Sequence, residues 1–158
     1  NVARRFVNAA KSVGADYGLR MNGDSPLPHP WPIQQGIEDL HGPPDLVTNL
    51  LVRTYPYGVS VEWVKVATLE KALPGLGAAE SEHVTACFYR SPERFRIHTV
   101  PDCPWPSCRL RMTVDEPGDL ETLEHLITRL PQPAWEADLK SILEAAREIE
   151  GEGPAAGS

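Results

Sequence analysis

Val2, Phe6, Ala9, Ala10 and Val13 recur at helical spacing and predict an amphipathic helix over residues 2–13, stopped by Gly14. "ADYGLRM" then predicts a strand. "PWPIQQGIEDL" reads as a second helix with Ile33, Ile37 and Leu40 inward, closed by "HGPP". The run "DLVTNLLV" is short and apolar enough for a strand buried on both faces. "YGVSVEWVKV" sets Val59, Val61 and Trp63 against Ser60 and Glu62, and the phase shift at Val64 and Val66 suits a bulge.

"ATLEKAL" predicts a short helix, "PGLGAA" a loop, and "SEHVTACFYR" a helix capped by Ser81 and stopped before Pro92. "RFRIHTV" and "CRLRMTV" read as strands, the second ending on Asp115. In "EPGDLETLEHLITRL" the acidic start and Pro117 suit a helix N-terminus, with Leu120, Leu123, Ile127 and Leu130 as its buried stripe. "PAWEADLKSILEAAREI" predicts a terminal helix over one domain of residues 1–150, leaving 151–158 as a flexible tail. No internal repeat is evident. Strands alternating with helices imply an α/β protein built on a layered sheet.

Composition narrows the function classes. The 158 residues hold 16 Pro and 12 Gly, so loops are many and sharply punctuated. A net charge of −7 disfavours nucleic acid and anionic membranes as partners, and an anionic substrate would need a metal or a local Arg cluster. No apolar run reaches the roughly 18 residues of a membrane span, and "NVARRFVNAAKSVGAD" lacks the apolar centre of a signal peptide. Three cysteines, an odd number, fit a reduced cytoplasmic protein. In "CPWPSC" the wide spacing and two prolines favour a plain loop over a zinc site.

Two aspartates stand out. Asp24, in "GLRMNGDSPLPHP", and Asp115 each follow a predicted strand and precede a proline-bearing turn. Ligands of open α/β sheets bind beyond the carboxyl ends of strands, and Mg²⁺ takes one or two carboxylates there with water and phosphate completing its shell. Both residues also suit ordinary structural roles, Asp24 as a turn residue and Asp115 as a helix cap. Arg20 and Arg111, each just before its aspartate, are candidates for anion contacts or for local ion pairs.

Four blocks in one order, "GADYGLRMNGDSPLPHP", "NLLVRTYPYGVSVEW", "SEHVTACFYRSPERFRI" and "LRMTVDEPGDLETLEHLI", resemble the cytidylyltransferase-like proteins of spore-coat polysaccharide synthesis. That family is similar to CMP-KDO synthetase and acylneuraminate cytidylyltransferase. The resemblance runs from about residue 2 to about residue 146 and implies a nucleotide-diphospho-sugar transferase fold, a mixed sheet flanked by helices. It further implies transfer of CMP from CTP to a sugar or sugar acid, with release of pyrophosphate, in surface glycan synthesis. The family's Mg²⁺ ligands, in its Gly-Asp-x-Pro turn and its "VDxPxDLE" motif, fall on Asp24 and Asp115. Glu82 and His83 of "SEHVT", and Tyr55 and Glu62 of "TYPYGVSVE", fall on positions that could line the sugar pocket.

Part of the family pattern is missing from these 158 residues. The "ARxxSxRLPGK"-type segment that holds the nucleotide has no counterpart, so the chain corresponds to the C-terminal two-thirds of the family domain, lacking the first βαβ portion. His29 stands where the family has the acid of "PLIDP", and Ser60 where it has the acid of "GLDVE". Without a phosphate-cradling loop the chain by itself is expected not to turn over CTP. It then reads as a fragment of an enzyme, a subunit completing a partner, or a non-catalytic relative kept for assembly. Loss of the first strands is expected to uncover a sheet edge, with "DLVTNLLV" poorly protected by charge, and so to favour a homodimer or hetero-complex.

Overall fold

The computed structural model describes residues 1–77, 80 and 82–152, the last by its backbone alone, so the cap expected at Ser81 lies outside the described residues. Two compact units emerge. Asn1–Met21, Pro32–Val52 and Val61–Pro101 form the first, and Asn22–Trp31, Arg53–Ser60 and Asp102–Ser158 the second.

The first unit carries α1 (Val2–Ser12), β1 (Tyr17–Arg20), most of α2 (Pro30–Glu38), β2 (Leu46–Thr48), β3 (Glu62–Lys65), α3 (Val66–Ala72), α4 (Ala86–Arg90) and β4 (Ile97–Thr99). The strands form one mixed sheet in the order β1-β3-β2-β4. β3 runs antiparallel to both neighbours and β2 parallel to β4. The carboxyl ends of β1, β2 and β4 therefore share one edge, where Arg20, Glu62, Thr48 and Thr99 stand in a single cross-strand row.

Both faces of the sheet are covered. Leu46 and Val64 pack with Ala3, Val7, Leu69 and Phe88 of the helices, whereas Val47 and Trp63 pack with Leu19, Ile33 and Leu40. Gly36 permits the second layer, since a Cβ there would stand 2.7 Å from the Trp63 ring. β2 is buried on both faces, as expected, but the sheet corrects other sequence readings. Glu62, expected to alternate outward, is 1% exposed. The regular strand in "DLVTNLLV" ends at Thr48, and Leu51 and Val52 beyond it are exposed. Nor does that strand lie at an edge, because β2 is paired on both sides and the edges are β1 and β4.

Helix faces are rotated relative to the expected stripes. α1 buries Ala3 and Val7, leaving Ala9 and Val13 exposed, because the core side follows the centre of its apolar arc. α2 buries Pro32 and Gly36 and exposes Ile37. Small residues win where a helix presses closely on a sheet.

The second unit packs α5 (Pro117–Arg129) against α6 (Leu139–Glu152). Its core joins Leu123, Leu126 and Leu130 to Leu139, Ile142 and Leu143, with Tyr55, Val59 and Met112 from the loops. Leu120, expected inside, is exposed. α6 continues to Glu152, into the stretch expected to be tail. "CRLRMTV" is not a regular strand; its backbone instead makes single bonds to two separate loops, Met112 N–H to the Tyr57 carbonyl at 2.7 Å and Val114 N–H to the Asp24 carbonyl at 2.8 Å. Alternation alone cannot distinguish such a strap from a strand, since both show one side to a core.

Candidate functional site

The second unit brings Asp24 and Asp115 together through the Val114–Asp24 bond. Asp24 sits in an exposed turn, where the Ser25 hydroxyl donates to its Oδ1 at 3.1 Å. Asp115 Oδ2 accepts from the Arg111 guanidinium at 2.7 Å and from the buried Thr113 hydroxyl at 3.1 Å. Asp119, one turn into α5, reaches back so that its Oδ2 accepts the N–H groups of Asp115 and Glu116, both at 2.9 Å. Those two donors hold the Asp119 carboxyl below its usual pKa. Asp119 is thus a positioning residue for the Asp115 turn. Its signal in the sequence was an acid three places after a helix start, the pattern of a capping box.

The donor set fits a hard divalent cation. Two exposed carboxylates on adjoining backbone leave room for water and phosphate oxygens, which Mg²⁺ requires. No group of three or more His, Cys, Asp or Glu side chains that could hold a metal occurs among the described residues, so such an ion would depend on these two acids and its ligand.

The remaining candidates are distributed over both units. Arg20 and Glu62 lie in the first, joined as an ion pair at the sheet edge. The second oxygen of Glu62 accepts the Tyr89 hydroxyl at 2.7 Å, and that hydroxyl lies 2.9 Å from Thr48 Oγ1. Burial, with the Glu62 charge beside it, pushes the Tyr89 phenol far up, so it remains a donor across the working range. The network satisfies a carboxylate taken out of water, which would otherwise be costly. Glu82 and His83 are exposed in the first unit, with the Glu82 carboxylate 3.4 Å from the α-amino group of Asn1. Tyr55 is enclosed in the core of the second unit at 1% exposure. Tyr89 was not marked out in the sequence, because a Tyr in a helical block normally reads as packing.

His29, which stands where the resembled family has an acid, also belongs to the second unit. Its Nδ1 accepts the Trp31 N–H at 3.1 Å and its Nε2 lies 3.3 Å from the Ala137 carbonyl. The neutral ring protonated at Nε2 satisfies both contacts. Burial lowers its pKa, partly opposed by the Ala137 carbonyl and by Asp138. With Leu27, Ile127 and Trp135 it lines a cleft of about 400 Å³.

The sequence matches no family model and no curated protein. Among solved structures, a cytidylyltransferase from Leptospira borgpetersenii serovar Hardjo-bovis superposes with a TM-score of 0.80 over 96% of this chain, at 22% identity. The fold is that of a cytidylyltransferase. This chain spans 63% of the Leptospira protein's length. In this cytidylyltransferase fold a mixed sheet is flanked by helices, as the resemblance implied. No helix among the described residues is long and apolar enough to cross a membrane.

Proposed function

We propose that the chain carries the metal and acceptor side of a cytidylyl-transfer site, moving CMP from CTP to a sugar or sugar acid for glycan synthesis. The observation that carries this reading is the Val114–Asp24 hydrogen bond at 2.8 Å, which joins the two acid-bearing turns. Asp24 and Asp115 would hold Mg²⁺, which when bound offsets charge on the α-phosphate and on the departing pyrophosphate. Arg111, held by Asp115, would donate to anionic oxygens of the substrate. Asp119 keeps the Asp115 backbone in place.

The test is pyrophosphate release from CTP in the presence of Mg²⁺ and a panel of sugar acids, by the 158-residue chain and by any longer protein that contains it. Release is expected only where a nucleotide-holding segment or partner accompanies these residues. Asp24→Asn and Asp115→Asn should each abolish release. Activity that survives both substitutions would overturn the reading.

A further inference from the structure

Two guanidinium groups from distant segments meet on one exposed ring in the second unit. The Arg53 guanidinium carbon lies 4.0 Å from the centroid of Tyr57, and that of Arg111 lies 5.0 Å from it. Cation–π contacts at exposed sites are weak, and two like charges on one ring repel each other. The arrangement is therefore not explained by stability alone. Charge balance points the same way. Asp115 neutralises Arg111, whereas Arg53 has no carboxylate partner in an ion pair among the described residues.

The platform beneath is fixed. The Tyr57 carbonyl accepts from Met112 N–H at 2.7 Å, and Gly58 at φ 96° lets the two backbones approach where a side chain would meet the Met112 carbonyl. Pro56 and Val59, on either side, are buried, and the Tyr57 ring is 50% exposed. The stretch 53–59 thus presents an aromatic ring with two forked donors against it, beside the Asp115 turn. Guanidinium forks match carboxylate and phosphate oxygens in pairs, and the ring limits how far each can swing.

We propose that Arg53 and Arg111, held against Tyr57, form a clamp for an oxyanion of a small ligand. The clamp stands on this geometry; the ligand class, a pyrophosphoryl group or the carboxylate of a sugar acid, rests on the cytidylyl-transfer reading above. A divalent cation on Asp24 and Asp115 would leave the patch net positive and strengthen its hold on either anion.

Isothermal titration calorimetry of the chain with inorganic pyrophosphate and, separately, with glucuronate tests this, with and without Mg²⁺ and at low and physiological salt. At least one anion is expected to bind, more weakly as salt rises. Arg53→Ala should weaken it about 10- to 100-fold, as loss of a charge-assisted pair does. Arg53→Lys should recover only part of that loss. Arg5→Ala on α1 removes the same charge elsewhere and should leave binding unchanged. Binding of pyrophosphate alone assigns the clamp to the phosphate side, and of glucuronate alone to the acceptor side; both support it. No binding of either, or equal loss in Arg53→Ala and Arg5→Ala, overturns the clamp. Because binding is read without turnover, the clamp can hold where CMP transfer fails, and the reverse.

Discussion

Val114 donates its N–H to the carbonyl of Asp24 at 2.8 Å, tying the turn that carries Asp24 to the strap that ends at Asp115. The bond joins the backbones and does not engage one acid with the other; Asp24 Oδ1 accepts from Ser25, and Asp115 Oδ2 accepts from Arg111 and Thr113. Mn²⁺ added to the labelled chain should broaden amide resonances around residues 23–25 and 113–116 first. Asp24→Asn or Asp115→Asn should each remove that selective broadening, and the double variant should be no worse. Broadening that persists unchanged in the double variant would place the cation elsewhere.

A second expected outcome concerns the sheet edge. Glu62 is buried, with Arg20 on one oxygen and Tyr89 on the other. Arg20→Ala leaves a buried carboxylate without its cation and should cost about 3–5 kcal/mol. Tyr89→Phe removes one donor and should cost about 1–3 kcal/mol. Urea unfolding of both variants and of their double, with non-additive losses, checks the network. Additive losses near zero would show that the edge is solvated instead.

The architecture was legible where periodicity ran long. α1, α5 and α6 were each expected from apolar spacing, and their boundaries shifted by a few residues. What the pattern missed has two causes. A period-2 reading assumes one buried face, but Glu62 lies in a sheet covered on both sides, so a polar residue there is an internal partner of Arg20, not a solvent marker. The strap 108–114 shows one side to a core, as a strand does, so alternation alone made it read as a strand. The matched turns single out Asp24 and Asp115 as candidates, and the Val114–Asp24 bond joins those turns. Arg53 and Tyr57 were not singled out, because nothing local ties them to Arg111, which approaches the ring from a separate segment.

Two glycines of positive φ separate crowding from backbone strain. Gly14, at φ 67°, has open space around it, while at Gly58, at φ 96°, a Cβ would meet the Met112 backbone. Gly14→Ala should therefore cost about 1–2 kcal/mol from conformation alone. Gly58→Ala should cost more and also disturb Tyr57. Thermal unfolding of the two variants gives the comparison directly. Equal losses would mean that the Met112 approach is loose.

Acid should weaken the second unit through His29. Burial lowers its folded pKa from 6.5, so as pH falls the unfolded chain takes up this proton first and stability falls with it. The contribution is complete above about pH 6.5, is lost as pH falls through the lower folded value, and levels off below it. His29→Gln, which can still pair with the Ala137 carbonyl, should flatten that part of the stability–pH curve. The measurement is the urea midpoint from pH 7.5 to pH 4.5 in both proteins. Parallel curves would assign the acid sensitivity to other groups.

Assembly is the remaining expectation, and the sheet relocates its basis from β2 to the outer strands. β1 pairs with β3 alone and β4 with β2 alone among the described residues, so each has one side of its backbone without a strand partner. β4 reads Ile97, His98, Thr99, with none of the Lys or Pro that blunts an exposed edge until Pro101. Its His98 ring is already engaged, with Nδ1 3.0 Å from the Asp39 carbonyl, which orients the strand without covering its edge. We therefore expect strand addition at β4, giving a homodimer or a hetero-complex that buries at least about 1,000 Å² if it is specific. Sedimentation velocity at micromolar concentration should show the dimer, and Thr99→Pro, which removes one edge N–H, should shift it towards monomer while the first unit stays folded. A monomer at all concentrations, together with no partner retained on the immobilised chain, would remove both assembly readings and leave β4 as an edge protected by its own loops.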